Sequence, residues 1–240
     1  MDNTFFETLF SDWSKAYFTQ PVACITCVIA IILGLKNFRK ENTYTYFILY
    51  SISCFLLFSL SDIFKIISPY TRNKIIIIEA GNTLFELIEL FVFYYFFMHV
   101  LRSNFVQLLM KLSFVFLLIF VVLFFIKLND QNFTGTEVLR LSTLIGSIKF
   151  FMLLIPIFTY FFEIFSIDPI KDIFYSPSLW ITSGLFLYCL ATLPFLLISD
   201  SLYNSNKSLY FLMFSIHFLS LSFLFLTIIK AFTCRKPIIT

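Results

Sequence analysis

The feature that most constrains this chain is a series of long, almost uncharged apolar stretches separated by short polar segments. Each stretch is close to the roughly 20 residues that an α-helix needs to cross about 30 Å of hydrocarbon. The stretches lie near residues 18–36, 44–67, 75–100, 106–127, 141–165, 179–200 and 208–231. We therefore predict an all-α membrane protein, a bundle of about seven transmembrane helices.

The composition supports a surface that faces lipid. Of the 240 residues, 60% are hydrophobic and only 13% are charged, whereas soluble domains carry roughly 25% charged residues. A soluble protein this apolar would expose large hydrophobic patches. The net charge of +3 is spread over the polar segments, which argues against a nucleic-acid-binding surface.

The chain divides into three parts. Residues 1–17 are predicted to form a short amphipathic helix at the membrane interface, because Thr4 and Glu7 have capping-box spacing and the apolar residues that follow share one face. This segment lacks the basic start of a signal peptide, so we expect it to be retained. Residues 18–231 form the transmembrane domain, and residues 232–240 form a short basic tail.

Ionisable side chains within the apolar stretches are the candidate functional residues. Each costs roughly 2.5–3.5 kcal/mol to insert into hydrocarbon, so several of them require an explanation. The third stretch has four polar residues spaced three, four and three apart, which places them on one helix face. These are Glu79, Asn82, Glu86 and Glu89, and other stretches contribute Asp62, Lys149 and His217.

These seven residues are predicted to form a buried polar or ligand-binding cluster in the outer half of the membrane. Lys149 is the one basic residue deep within a stretch, so we expect it to pair with Glu86 or Glu89. Such a pair could hold a ligand site or could only fix the packing of the helices. His217 is more typical of a packed, hydrogen-bonded side chain than of a ligand contact.

Several other kinds of site are not supported. Cys24 and Cys27 have metal-ligand spacing, but no second pair completes a site, and we interpret the five cysteines as packing residues. The chain has only two histidines, too few for a zinc-dependent seven-helix hydrolase. It has no nucleophile elbow and no P-loop. We therefore predict no catalytic residue, no metal site and no cofactor.

Two segments carry a resemblance to a known group. NTLFELIELFVFYYFF over 82–97 and PSLWITSGLFLY over 177–188 resemble segments of small bacterial seven-helix membrane proteins. That group is similar to the receptor-like membrane modules at the front of some signalling histidine kinases. The resemblance implies a sensor in the bacterial cytoplasmic membrane. Because no kinase or other output domain follows the last apolar stretch, we expect a separate signalling partner, such as a histidine kinase.

Three functions remain open at this point. The leading hypothesis is a receptor-like protein that binds a small or lipid-like ligand among membrane lipids. A proton-coupled carrier would use Glu86, Glu89 and Lys149 to exchange protons, although the sequence shows no pair of interrupted helices. A lipid-modifying enzyme would use the carboxylates as general acid and base, although no nucleophile–base pair can be identified from spacing.

The basic residues predict the orientation. With the N-terminus outside, nine of the 17 Lys and Arg residues fall on the inner side, seven fall on the outer side, and Lys149 lies within the membrane. Basic residues favour the cytoplasmic side, so we expect the N-terminus outside and the C-terminus inside.

We predict that alkaline phosphatase fused after Thr240 is inactive and that a fluorescent protein fused there is bright. The opposite pair of results would reverse the orientation and move the polar cluster to the cytoplasmic half.

Overall fold

A computed structural model describes residues 3–37, 43–67, 72–128, 134–166 and 175–234. Within these ranges the side chains of residues 3–18 and 61–67 lie outside the description, and so does the predicted capping box at Thr4 and Glu7. The described residues form seven α-helices and no strands. They are α1 (Asn3–Asn37), α2 (Thr43–Ile67), α3 (Arg72–Val100), α4 (Asn104–Leu128), α5 (Gly135–Ser166), α6 (Pro177–Ser205) and α7 (Lys207–Thr233).

Helices α2 to α7 lie within about six residues of the predicted apolar stretches at each end, whereas α1 begins fifteen residues before the predicted start of the first stretch. Among the described residues, five segments are long and apolar enough to cross a membrane, and these are Thr19–Lys36, Asn104–Leu128, Arg140–Ser166, Pro177–Ser199 and Lys207–Thr233. Helix α2 contains a shorter apolar segment, Thr45–Leu57. The predicted multi-pass helical character is therefore confirmed. Helix α1 is continuous, so the N-terminal segment and the first apolar stretch belong to one helix.

Six helices pack in the cyclic order α1, α2, α3, α5, α6, α7, and α4 lies outside this ring against α3 and α5. Because α4 returns the chain across the bundle, α3 and α5 become parallel neighbours. Their faces therefore meet at matching depths along the bundle. The sequence periodicity of individual helices did not predict that α4 is peripheral.

The outer surface of α4 is strongly apolar. A groove of about 450 Å³ runs between α4 and α5 and is lined by Leu109, Leu112, Ser113, Val115, Phe116, Ile119 and Met152. The one hydroxyl group in this lining is satisfied within its own helix, because Ser113 donates to the Leu109 carbonyl oxygen at 2.8 Å. Such a surface needs no polar ligand and suits contact with acyl chains.

The end of α5 is tied to the turn between α3 and α4. The Glu163 carboxylate accepts hydrogen bonds from the backbone amides of Arg102 and Ser103, both at 3.0 Å. Gln107 closes the same turn by donating to the Leu101 carbonyl oxygen at 2.7 Å. These bonds hold the end of α5 against the turn between α3 and α4.

The start of α5 has a capping box that the sequence analysis missed. The Glu137 carboxylate accepts from the Thr134 amide and hydroxyl group at 2.8 Å, and Thr134 accepts from the Glu137 amide at 3.3 Å. These donors lower the pKa of Glu137 below its usual value. A lowered folded-state pKa stabilises the protein above the unfolded pKa, and this contribution is lost as the pH falls through the folded-state pKa.

Helices α6 and α7 form the closest helix pair. Asn206 alone separates them, and its side-chain oxygen accepts from the Leu209 amide at 3.1 Å, which caps α7. At Gly184 the helices approach so closely that an added Cβ atom would lie 1.9 Å from the Thr227 hydroxyl oxygen. Small residues at helix contacts are the usual means of close packing in membranes.

We expect Gly184→Ala to destabilise the protein by about 1–3 kcal/mol, the range for overpacking a tight contact. Gly81→Ala is a suitable control, because its Cβ atom would meet only the Leu57 side-chain end at 3.3 Å and alanine favours helix. Thermal unfolding in detergent measures both variants. Equal melting temperatures for Gly184→Ala and the unsubstituted protein would show that α6 and α7 do not pack this closely.

Candidate functional site: a buried ion triad

A lysine and two glutamates form a charged cluster between α3 and α5, which we call the ion triad. Glu86 and Glu89 are three residues apart on α3 and therefore share a face. The Lys149 ammonium group, on the facing side of α5, forms ion pairs with both carboxylates. The structure thus contains the predicted pairing of Lys149 with a third-helix glutamate, and it includes both candidates.

A tyrosine from a third helix completes the cluster. The Tyr50 hydroxyl group on α2 donates to Glu89 at 2.6 Å. The Tyr50 ring lies between the rings of Phe85 and Phe225, each with centroids 5.8 Å away. Tyr50 is completely buried, so its hydroxyl group needs a partner. The sequence analysis missed Tyr50. The available signal was a tyrosine within an apolar stretch, whose hydroxyl group must reach either a buried acceptor or the membrane interface.

The two carboxylates are not equivalent. Glu89 is completely buried and accepts hydrogen bonds from both Tyr50 and Lys149. Glu86 is 20% exposed, and its Oε2 atom forms an ion pair with Lys149. Its other oxygen lies beside Gly146, whose added Cβ atom would be 3.2 Å away. Glu89 is therefore fully engaged, whereas Glu86 retains capacity for another partner.

Aromatic rings surround the triad and exclude water from Lys149. The Lys149 ammonium nitrogen lies 3.9 Å from the centre of the Phe150 ring, and that ring packs edge-on against Tyr188 with centroids 5.2 Å apart. Lys149, Phe150 and Tyr188 are all buried. In such a low-dielectric environment charge interactions are strong, and an unpaired charge is costly.

A column of polar side chains extends from the triad toward the start of α3. Glu79 hydrogen-bonds to Asn82 on its own helix and to Ser142 on α5. The Thr83 and Ser142 hydroxyl oxygens are 3.5 Å apart. Glu79, Asn82 and Glu86 follow one another at about one helical turn, so the column leads to the less buried carboxylate of the triad.

The remaining candidates do not join the triad in the described structure. His217 lies 3.0 Å from the Thr192 hydroxyl oxygen on α6 and packs between the rings of Tyr188 and Phe195. This environment is that of a packed, hydrogen-bonded histidine. The side chain of Asp62 lies outside the described residues.

The cysteines act as packing residues in the described bundle. Cys27, Cys54 and Cys189 are completely buried, and the Cys27 thiol donates to the Ser51 carbonyl oxygen at 2.8 Å. Among the described residues, no group of three or more His, Cys, Asp or Glu side chains is arranged to hold a metal ion.

Comparisons with protein-family models, with curated proteins and with solved structures find no match to this chain. Function must therefore be argued from the site itself. The site belongs to a multi-pass helical membrane protein, and its most unusual feature is the ion triad between α3 and α5, to which Tyr50 of α2 is hydrogen-bonded.

We expect Lys149→Met to destabilise the protein by about 3–5 kcal/mol, because it leaves buried carboxylates without a counter-charge. Glu86→Gln or Glu89→Gln in the Lys149→Met background should restore part of this loss. Thermal unfolding in detergent gives the coupling free energy for each pair. Lys111→Met is the control, because Lys111 is exposed on α4, and it should have little effect. Strict additivity of the Lys149 and glutamate substitutions would mean that the groups do not interact.

Proposed function

We propose that the protein is a seven-span, receptor-like sensor of the bacterial cytoplasmic membrane, with its N-terminus outside and its C-terminus inside. It binds a small or lipid-like ligand in the outer half of the bundle and signals through a separate membrane partner, such as a histidine kinase. The observation that carries this proposal is the spare binding capacity of Glu86 beside an otherwise satisfied Lys149–Glu89–Tyr50 cluster.

In the proposed receptor, α2 and α3 both span the membrane. They contain 25 and 29 residues, which at 1.5 Å per residue gives about 37 and 43 Å, enough to cross the hydrocarbon core. The polar residues of α3 reduce its hydropathy, but Glu86 and Glu89 face Lys149 rather than lipid. Pairing inside the bundle is the condition under which such residues are tolerated in a membrane.

The triad has the properties expected of a receptor site. A ligand that offers a hydrogen-bond donor or a positive charge would compete with Lys149 for Glu86. Lys149 would then interact mainly with Glu89, which is held by Tyr50 of α2. Binding would change the contact between α3 and α5 and favour one arrangement of these helices. A helix shift of this kind can be transmitted to a partner at the inner face.

A proton-coupled carrier is the second candidate, and the presence of two carboxylates for one lysine favours it. Against it, α5 and α6 continue through Pro156 and Pro194 as single helices, whereas many carriers bind substrate at interrupted helices.

A lipid-modifying enzyme has less support. Among the described residues, the one hydroxyl–imidazole hydrogen bond joins Thr192 and His217; it is enclosed by aromatic rings, and Thr192 is only 1% exposed.

Proteoliposomes containing a pH-sensitive dye distinguish the receptor from the carrier. Under an imposed pH gradient, the receptor hypothesis predicts the same proton flux as in protein-free vesicles, both with and without a membrane potential. An ionophore added at the end verifies that the gradient was present. Proton flux that depends on the protein and disappears in Glu86→Gln would contradict the receptor hypothesis and establish the carrier.

The neighbouring genes provide separate evidence, because an adjacent histidine kinase or response regulator favours sensing.

A further inference from the structure

The formal charges of the ion triad do not balance. Two carboxylates and one ammonium group sum to −1 when all are ionised. Among the described side chains, Lys149 is the only buried basic residue. A net charge buried among aromatic rings is strongly disfavoured, and a buried carboxyl group avoids the cost by binding a proton.

Among the described side chains, the titratable groups near Glu86 supply no second positive charge. From the helices around it these groups are Tyr50 and Cys54 on α2, Glu79 and Glu89 on α3, Lys149 on α5, Tyr188 and Cys189 on α6, and His217 on α7. His217 is the only other base among them. It is enclosed by Tyr188 and Phe195 and bonded to Thr192, which leaves the triad one positive charge short.

The hydrogen bonds indicate which carboxyl group holds the proton. Glu89 accepts from Tyr50 and from Lys149, and both donors stabilise its ionised form. Glu86 has Lys149 as its one ion-pair partner among the described residues and is partly exposed. A proton on Glu86 therefore neutralises the triad without breaking either bond to Glu89.

We propose that Glu86 is a proton-binding site, and that its proton exchanges with the outer aqueous phase along the column formed by Glu79, Asn82 and Ser142. This assignment deepens the proposed function by naming the proton as a ligand of the same site, and it depends on that function only for the outward direction. The carboxyl and hydroxyl groups of the column can both donate and accept protons. Glu79 interacts with Ser142 across the α3–α5 contact, and Glu79, Asn82 and Glu86 share one face of α3.

Proton release is a balanced step. The O–H bond of the Glu86 carboxyl group breaks, the proton passes to water, which carries it toward Glu79, and Glu86 acquires one negative charge. Lys149 is then shared between two ionised carboxylates rather than held mainly by Glu89. The strength of the α3–α5 contact consequently depends on the external pH.

Infrared spectroscopy of the full-length protein in vesicles of neutral lipid tests the assignment, because a protonated carboxyl group has its own C=O stretching band. At neutral pH we expect this band in the unsubstituted protein, its loss in Glu86→Gln and a change in its frequency in Glu86→Asp. Raising the pH should also remove the band. The Glu163→Gln control should retain it, because Glu163 accepts from two backbone amides outside the column.

Hydrogen–deuterium exchange of the same band tests the route. Glu79→Gln should keep the band but slow its isotope shift several-fold, whereas Glu163→Gln should leave the exchange rate unchanged. Absence of the band at neutral pH in the unsubstituted protein would overturn the assignment. A band of unchanged frequency in both Glu86 variants would also overturn it. Unchanged exchange in Glu79→Gln would overturn the route.

These results separate the proton site from the receptor function. A Glu86 band together with proton flux across the vesicle membrane retains the proton site and rejects the receptor. Absence of both the band and the flux rejects the proton site and leaves the receptor with another ligand.

Discussion

The ionic contact between Lys149 and the two glutamates of α3 is the interaction on which the arrangement of this bundle depends. Each of these charges alone would be costly to bury in the bundle, and pairing reduces that cost. They also fix the register of α3 against α5. This contact is possible because α4 lies outside the ring, which makes two helices of the same direction neighbours.

The bundle combines two kinds of helix packing. On one side, α6 and α7 pack through small residues, with Gly184 against Thr227 and a single connecting residue. Such a contact has little freedom to change, because any shift brings backbone and side-chain atoms into collision. On the other side, α2, α3 and α5 are joined by charges and a hydroxyl group, whose strength depends on protonation. The structure thus places a rigid helix pair beside a contact that chemistry can alter.

Much of the fold could be predicted from the sequence, because the requirement to cross about 30 Å of hydrocarbon determines the length and position of each apolar helix. The spacing of Glu86 and Glu89 identified one polar face, and the scarcity of buried cations identified Lys149 as its partner. The position of α4 outside the ring was not predicted, although α4 is the most apolar of the five segments that could cross a membrane. Tyr50 was also missed. A tyrosine in an apolar helix can reach the membrane interface or a buried acceptor, and only the packing of α2 against α3 distinguishes them.

The number of carboxylates is the main argument that the triad does more than hold two helices together. One glutamate and one lysine would fix the register of α3 and α5 with no net charge, and Glu89 with Lys149 already forms that pair. Glu86 adds a negative charge, has Lys149 as its one ion-pair partner among the described residues and remains partly exposed. A residue that only stabilised the bundle would be expected to be neutral or fully paired, because an excess buried charge reduces stability. Its position on the same face of α3 as Glu79 and Asn82 gives that excess charge a chemical use, since the carboxylate can bind and release a cation as small as a proton.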